Sequence, residues 1–446
     1  MKSYFRISCC MLLLIIGIPA LRADDLPRHG VIGLTVSPPD ITKPEDPQTN
    51  PPTVKSVAPG SAADASGIQA GDILRELDGA PVVSSAEFAS RVARHLAGDR
   101  VAIVLVRNGQ ELAKTATLKP RPYETSSDAD VVYGSVTVDG SRRRTIITHP
   151  KSAGHFPAVL IIGGLGCYSV DGALTQQDSY GHVIAALAKN NFVTMRVEKP
   201  GQGDSEGPAC TDLKATAELE AQGYIAGLKA LKSFDYVDSA KIFVFAHSLG
   251  PLVGSLVVPR ESVRGFIAAE TIGRSWFEYM LENSRMQDAM VGTPLDEVDA
   301  DIRIQEKCNY DFFVLHHSSD EVSKLDPQCA GIIRSFAGVP STFMQQIGDV
   351  SLAKQWKQVD IPVLVLYGTS DPATSADESR YLANLINSFH PGRATYIELP
   401  GMAHDFYKYD SQLEFLTRRN NPAKQHAFDD EFTDAVLKWL NQQLQA

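Results

Sequence analysis

Apolar runs of strand length recur through the second two thirds of this chain, and each stops on small or polar residues. Pro157-Ala158-Val159-Leu160-Ile161-Ile162 opens onto Gly163-Gly164-Leu165-Gly166-Cys167. Lys241-Ile242-Phe243-Val244-Phe245-Ala246 feeds into His247-Ser248-Leu249-Gly250, with helix-compatible residues behind it. Ser262 to Ala269, Ile361 to Gly368 and Ala394 to Leu399 repeat the theme. Such runs are apolar throughout instead of alternating, which predicts strands buried on both faces, as in a parallel sheet. Some ninety residues separate Ala269 from Ile361. They are rich in Met, Phe and charge, and too long for a plain loop, so they predict a mostly helical insertion.

The first 120 residues follow a different rhythm. His29 to Val36 predicts a strand, and Arg107-Asn108-Gly109-Gln110 predicts a hairpin turn. Between them Ser84 or Ser85 can cap a helix whose apolar stripe is Phe88, Val92 and Leu96. Pro38-Pro39 through Pro51-Pro52 reads as an exposed loop, and Tyr123 to Asp130 as a polar linker.

Candidate chemistry sits where the strands end. A serine on a strand-to-helix turn, with small residues two before and two after it, stands clear of the sheet as a nucleophile elbow. Ala246-His247-Ser248-Leu249-Gly250 has that form, with Ala246 where glycine is usual; a chance five-residue match is the rival reading. A nucleophilic serine needs a base, and the base an orienting acid. Asp371 follows the strand ending at Gly368, and His404 follows the strand ending at Leu399.

The order Ser248, Asp371, His404, each just past a strand, resembles the α/β-hydrolase superfamily from about Val131 onward. Arg196 to Gly207 is similar to the loop after the fourth strand in lid-bearing members. The resemblance implies that Ser248 is the nucleophile, His404 the base and Asp371 its orienting acid. It also implies an oxyanion hole built from the Leu165 and Leu249 N–H groups, each such donor contributing roughly 2.7–4 kcal/mol. The insertion between Ala269 and Ile361 becomes a cap over the site, which excludes water and shapes the substrate pockets. The Gly163–Gly166 loop lacks the Lys-Ser/Thr ending of a phosphate-binding P-loop. His247 reads as packing. His316 and His317 are adjacent and face different sides of any regular element, so they do not suit one metal. No metal site and no cofactor are expected.

The N-terminal segment resembles a PDZ domain of the bacterial type, on Ala58-Pro59-Gly60-Ser61 and Gly67 to Leu74. PDZ domains add a peptide C-terminus beside their first strand and hold its carboxylate on backbone N–H groups. Val31, Ile32, Gly33 and Leu34 would form that loop and strand, with Phe88 and Val92 lining the opposite wall. A purely structural domain is the alternative.

Composition fixes the setting. The chain has 446 residues, 43% of them apolar, enough for a large core and two domains. Lys2 and Arg6, an apolar run from about Cys9 to Ile18, and Pro19 to Ala23 predict a secretory signal peptide. The run is short for a membrane span of about 20 residues. No later segment is apolar enough to span a membrane. A formal charge of −11 argues against nucleic acid as a partner. Arg142-Arg143-Arg144 is short enough to read as a solvated edge. Past Ala23 four cysteines remain, Cys167, Cys210, Cys308 and Cys329, and an even number in an exported chain suggests disulfides. The hydrolase resemblance puts Cys167 and Cys210 over one rim and Cys308 and Cys329 in the cap, so pairing within each region is expected; four free thiols is the rival.

The expected architecture is α/β: a mostly parallel eight-stranded hydrolase sheet with a helical cap, after a small PDZ β-sandwich or barrel with helices. Expected boundaries are 1–23 for the signal peptide, 27–120 for the PDZ domain, 121–132 for the linker and 133–446 for the hydrolase, its cap at about 271–358. The expected function is a periplasmic or secreted serine hydrolase cleaving carboxylic esters. A serine peptidase acting on PDZ-recruited peptides, and an inactive PDZ interaction protein, stand as alternatives. Expected partners are a small-molecule ester or peptide, and a peptide C-terminus at the PDZ domain.

Overall fold

The computed structural model describes residues 26–36, 52–333, 339–418 and 426–445. The expected signal peptide and nearly all of the Pro-rich loop lie outside the described residues.

The N-terminal domain begins with β1 (Gly30–Val31) and β2 (Leu34–Val36), so the single strand expected over His29–Val36 is broken at Ile32 and Gly33. Gly33 has φ +76°, a left-handed conformation that costs glycine little. β2 pairs antiparallel with β3 (Val54–Val57). β4 (Ile73–Leu77), β5 (Ala80–Pro81), β6 (Arg100–Arg107) and β7 (Gln110–Thr117) form an antiparallel sheet in the order β5-β4-β6-β7. The β6–β7 turn has positive φ at both Asn108 and Gly109, as the Asn-Gly pair predicts. β8 (Lys119–Pro120) returns to pair with β1.

Ser84 caps the helix Ser85–Val92 by accepting from the Glu87 N–H. That helix stops before Leu96, whose segment instead bridges the start of the domain: His29 pairs with Leu96, and Gly30 N–H donates to His95 O at 2.8 Å.

The larger domain holds one eight-stranded sheet in the order β16-β15-β14-β13-β11-β12-β10-β9. Its strands are β9 (Ala129–Val138), β10 (Ser141–Pro150), β11 (Phe156–Ile162), β12 (Val193–Val197), β13 (Val237–His247), β14 (Gly265–Ala269), β15 (Val363–Gly368) and β16 (Ala394–Leu399). β11 through β16 run parallel, and β10 is antiparallel to both neighbours. Alternate residues of β11 serve different layers. Ala158, Leu160 and Ile162 face one core, while Val159 and Ile161 face the other. The final helix, Asp430–Gln445, closes the second layer with Trp439 and Leu440.

Two expectations need correction. The sheet begins at Ala129, inside the segment expected as linker to 132, and that segment is not a solvated tether. Glu124 is buried and ion-paired with Arg196 at 2.8 Å; it also accepts from Gly172 N–H, and Arg196 also donates to Val170 O. Nor is Arg142-Arg143-Arg144 a solvated edge. Arg143 and Arg144 are buried on β10, and Arg144 pairs with Asp204 at 3.0 Å. Charge at these positions is tolerated because each ion meets a counter-charge or carbonyl in the fold, which composition alone does not reveal.

The insertion between β14 and β15 is helical. Helices Trp276–Met290, Leu295–Asn309, Ser319–Leu325, Cys329–Ile333, Ser341–Asp349 and Leu352–Trp356 are joined in part by a π-helical turn, Tyr310–Val314. Phe312, Phe343, Met344 and Trp356 bury this cap against the sheet's first core layer. Disulfides join Cys167 to Cys210 and Cys308 to Cys329. Among the described residues, no helix is long and apolar enough to cross a membrane.

Candidate active site

β13 ends at His247, the helix Gly250–Val257 follows, and Ser248 between them has φ +61°. This conformation is strained for a residue with a side chain, and the surrounding structure must enforce it. Ser248 N–H donates to Ala269 O at 3.0 Å, and Thr271 Oγ1 donates to Ser248 O at 2.8 Å. Crowding explains the small neighbours. A Cβ on Gly250 would sit 2.8 Å from Ile162 O, and one on Gly164 would sit 2.9 Å from Ser248 Cβ.

The structure brings the three residues singled out at strand ends into one line. Ser248 Oγ lies 3.0 Å from His404 Nε2, and His404 Nδ1 lies 2.9 Å from Asp371 Oδ2. Asp371 is fully buried and further held by Ala373 N–H at 2.6 Å and Thr374 Oγ1 at 2.7 Å. Burial alone would raise its pKa, but the charge and hydrogen bond of His404, with the hydrogen bonds of Glu270 and Thr374, outweigh burial and hold it below the usual carboxylate range.

Over Ser248 runs the loop Gly163–Gly172. Neither Leu165 N–H nor Leu249 N–H donates to another described residue. Lys199, buried, fixes this loop from below by donating to Gly164 O at 2.6 Å and Gly166 O at 3.1 Å. Cys167 ties it to the loop carrying Cys210. Glu198 accepts from Ser169 Oγ and from Val170 N–H. Burial pushes the Glu198 carboxyl up to about 7.

His247 does more than pack. Its Nδ1 lies 2.8 Å from Tyr180 Oη, and its Nε2 lies 2.9 Å from the His404 carbonyl. Burial, then the neighbouring His404, lowers its pKa to about 3, so it is neutral at ordinary pH. Tyr180 Oη also accepts from Gly164 N–H at 3.2 Å. Sequence reasoning missed Tyr180, Lys199 and Glu270. Only Glu270 carries a signal, as an acid just past the end of β14, the same position that singled out Asp371 after β15.

The PDZ segment is docked on this region. Arg28 is buried, with Nη1 2.6 Å from both Asp171 and Asp204, and its other nitrogens bond Arg121 O and Pro122 O. Of the expected groove residues, Val31, Gly33 and Leu34 are half-buried. Ile32, Phe88 and Val92 are buried together in the PDZ core. The Phe88–Val92 stripe is thus the face that packs the helix onto its domain, not an open wall as expected. Among the described residues, the one group of three potential ligands for a metal is Glu270, Asp371 and His404, two of which already pair with each other. His316 pairs with Asp349 at 3.0 Å on the cap surface.

A family profile described as "Serine aminopeptidase, S33" matches residues 167–411. The chain belongs to this α/β-hydrolase family. A PDZ profile matches residues 30–118. Esterase EstD of Thermotoga maritima is 22% identical over 312 residues, 68% of this chain and 66% of the esterase. The periplasmic pH-dependent serine endoprotease DegQ of Escherichia coli is 38% identical over 88 residues, 20% of this chain and 19% of that protein. The chain thus matches less than two thirds of either relative's length. Among solved structures, Est1E from Butyrivibrio proteoclasticus is 16% identical with a TM-score of 0.44, covering 72% of this chain and 100% of that one.

Proposed function

We propose that this chain is an exported serine hydrolase cleaving carboxylic esters through an acyl-enzyme. The observation that carries this is the line Ser248 Oγ, His404 Nε2, His404 Nδ1, Asp371 Oδ2, with links of 3.0 and 2.9 Å. Ser248 attacks the ester carbonyl as His404 takes its proton, and Asp371 stabilises the imidazolium that forms. The new oxyanion is received by the N–H groups of Leu165 and Leu249. His404 then returns the proton to the departing alkoxide, and water repeats the sequence to release the acid. Two disulfides support an oxidising compartment, periplasmic or external. A leader over residues 1–23 belongs to the same reading.

A peptidase is the second reading, favoured by the PDZ domain between residues 30 and 118. There a peptide C-terminus would bind along the backbone of Val31, Ile32, Gly33 and Leu34. An inactive interaction module is disfavoured, because a dead site has no need of the strained Ser248 backbone. Labelling with a fluorophosphonate probe, followed by kinetics on short acyl esters and aminoacyl amides, separates the three. A labelled enzyme with at least tenfold higher kcat/KM on esters supports the proposal. Preference for amides supports the peptidase, and absence of label refutes both.

A further inference from the structure

Glu270 lies beside Asp371 and His404 but outside the Ser248–His404–Asp371 line. It follows β14 with φ +49°, a left-handed backbone that nothing in its own side chain requires. It is fully buried, and no hydroxyl, amide or cationic side chain of the described residues donates to either carboxyl oxygen. One of its oxygens, one of Asp371 and a ring nitrogen of His404 all lie within 4.8 Å of one another. A buried carboxylate without a counter-charge is costly, and two carboxylates this close are not both ionised in a dry site. The hydrogen bonds decide between them. Asp371 accepts from Ala373 N–H, Thr374 Oγ1 and the His404 ring, so it carries the charge, whereas Glu270 has only the backbone N–H of Gly368 to favour its ionised form.

We infer that Glu270 is a neutral carboxylic acid acting as a positioning residue, its O–H directed at the Asp371 carboxylate and thereby holding that carboxylate charged and aimed at His404. The inference rests on the serine hydrolase reading above. The titratable groups that act on Glu270 are Asp371, Asp405, Tyr367 and Tyr396, with His404 beyond Asp371. Burial and Asp371 both push its proton affinity well up, consistent with the neutral form.

The experiment compares Glu270→Gln and Glu270→Leu with wild type, by kcat and KM on a short acyl ester across pH 5–9. The low-field proton NMR signal of the His404–Asp371 pair is titrated in parallel, and needs no turnover. Glutamine replaces a neutral donor by another of the same shape, so kcat within about threefold and an unmoved acid limb are expected. Leucine removes the donor and should lower kcat at least tenfold at nearly constant KM, with the NMR midpoint moved upward. A Glu270→Gln acid limb displaced downward by half a pH unit or more would mean an ionised Glu270 and would overturn the inference. Wild-type behaviour of Glu270→Leu, or a tenfold loss in Glu270→Gln, would do the same. If Glu270→Leu fails to fold, the glutamine variant and its NMR titration decide. Fluorophosphonate labelling of wild type, read separately, tests the Ser248 assignment alone.

Discussion

Tyr180 and His247 are joined through Tyr180 Oη and His247 Nδ1 at 2.8 Å, and this bond couples two parts of the site that no strand connects. On one side Tyr180 receives Gly164 N–H from the loop over Ser248, and on the other His247 reaches the carbonyl of His404. The donors order themselves: Tyr180 O–H gives to Nδ1, and Nε2–H gives to the carbonyl. The loop and His404 are therefore held in register by one neutral chain. Tyr180→Phe breaks it in the middle. A buried neutral hydrogen bond contributes about 1 kcal/mol, so kcat should fall roughly five- to tenfold with KM little altered. Because His247 is neutral at ordinary pH, the acid limb of the pH–rate profile should not move. Steady-state kinetics on an ester across pH reads both effects.

Ser248→Ala should abolish turnover, by roughly 10⁴-fold or more, because the acyl-enzyme cannot form. The fold should survive, since the backbone at 248 is fixed by Ala269 O and Thr271, not by the hydroxyl. Asp371→Asn should cost about 10⁴-fold in kcat by favouring the wrong His404 tautomer. Circular dichroism alongside the kinetics distinguishes lost chemistry from lost structure; retention of a few percent of activity by either variant would refute its assigned role.

What the sequence made legible follows from locality. Ser248, Asp371 and His404 each sit at or just past a strand end, and a strand end is visible as an apolar run meeting a turn. The Asn108-Gly109 hairpin was readable for the same reason. Arg143, Arg144 and Glu124 were misjudged because their solvation depends on partners some 60 or 70 residues away, Ser205 and Asp204 for Arg144 and Arg196 for Glu124. The helix Ser85–Val92 was found but its apolar stripe was read as a groove wall, since periodicity shows which face is buried without showing against what.

The disulfide Cys167–Cys210 encloses 43 residues of separation, including β12 and the loop that follows it. Constraining a loop of that length stabilises by roughly 4 kcal/mol on the chain-entropy account. Replacing both cysteines by serine should lower Tm by several degrees. It should also reduce kcat, because Leu165 lies two residues from Cys167 on the same loop. Differential scanning calorimetry with ester kinetics checks this, and peptide mapping without reductant checks the bond itself.

Glu198 makes stability depend on pH in a definite direction. Its carboxyl is held up to about 7 by burial, against an ordinary value near 4.5 in the unfolded chain. Below 4.5 both states are protonated and the group has no effect. Between 4.5 and about 7 the unfolded chain has released a proton that the folded chain retains. Stability from this group is therefore lost as pH rises through that window, and the loss levels off above it. Glu198→Gln carries no such titration. Plotting Tm of wild type minus Tm of Glu198→Gln from pH 4 to 8 should give a falling curve; a flat or rising one contradicts the assignment.

Arg28 offers the last prediction, on how the two domains are held together. Its guanidinium meets Asp171 from the loop over Ser248 and Asp204 from the loop after β12, each at 2.6 Å, with the rings of Tyr123 and Tyr133 4.4 and 5.0 Å away. His29 N–H adds a bond to Asp204 at 2.8 Å. Arg28→Ala leaves the Asp171 carboxylate with the neutral donor Tyr133 Oη, while Asp204 keeps Arg144. Removing one partner of a buried ion pair costs about 3–5 kcal/mol, which here falls on the domain boundary. The PDZ segment should then separate from the hydrolase without either unfolding. Small-angle scattering should show a larger radius of gyration, and limited proteolysis should cut between residues 121 and 130. Asp171→Asn should weaken the boundary less, because Asp204 still holds Arg28. Equal behaviour of wild type and Arg28→Ala in both measurements would mean that the other contacts, among them His29 N–H to Asp204 and Arg144 to Leu26 O, suffice to hold the domains in place.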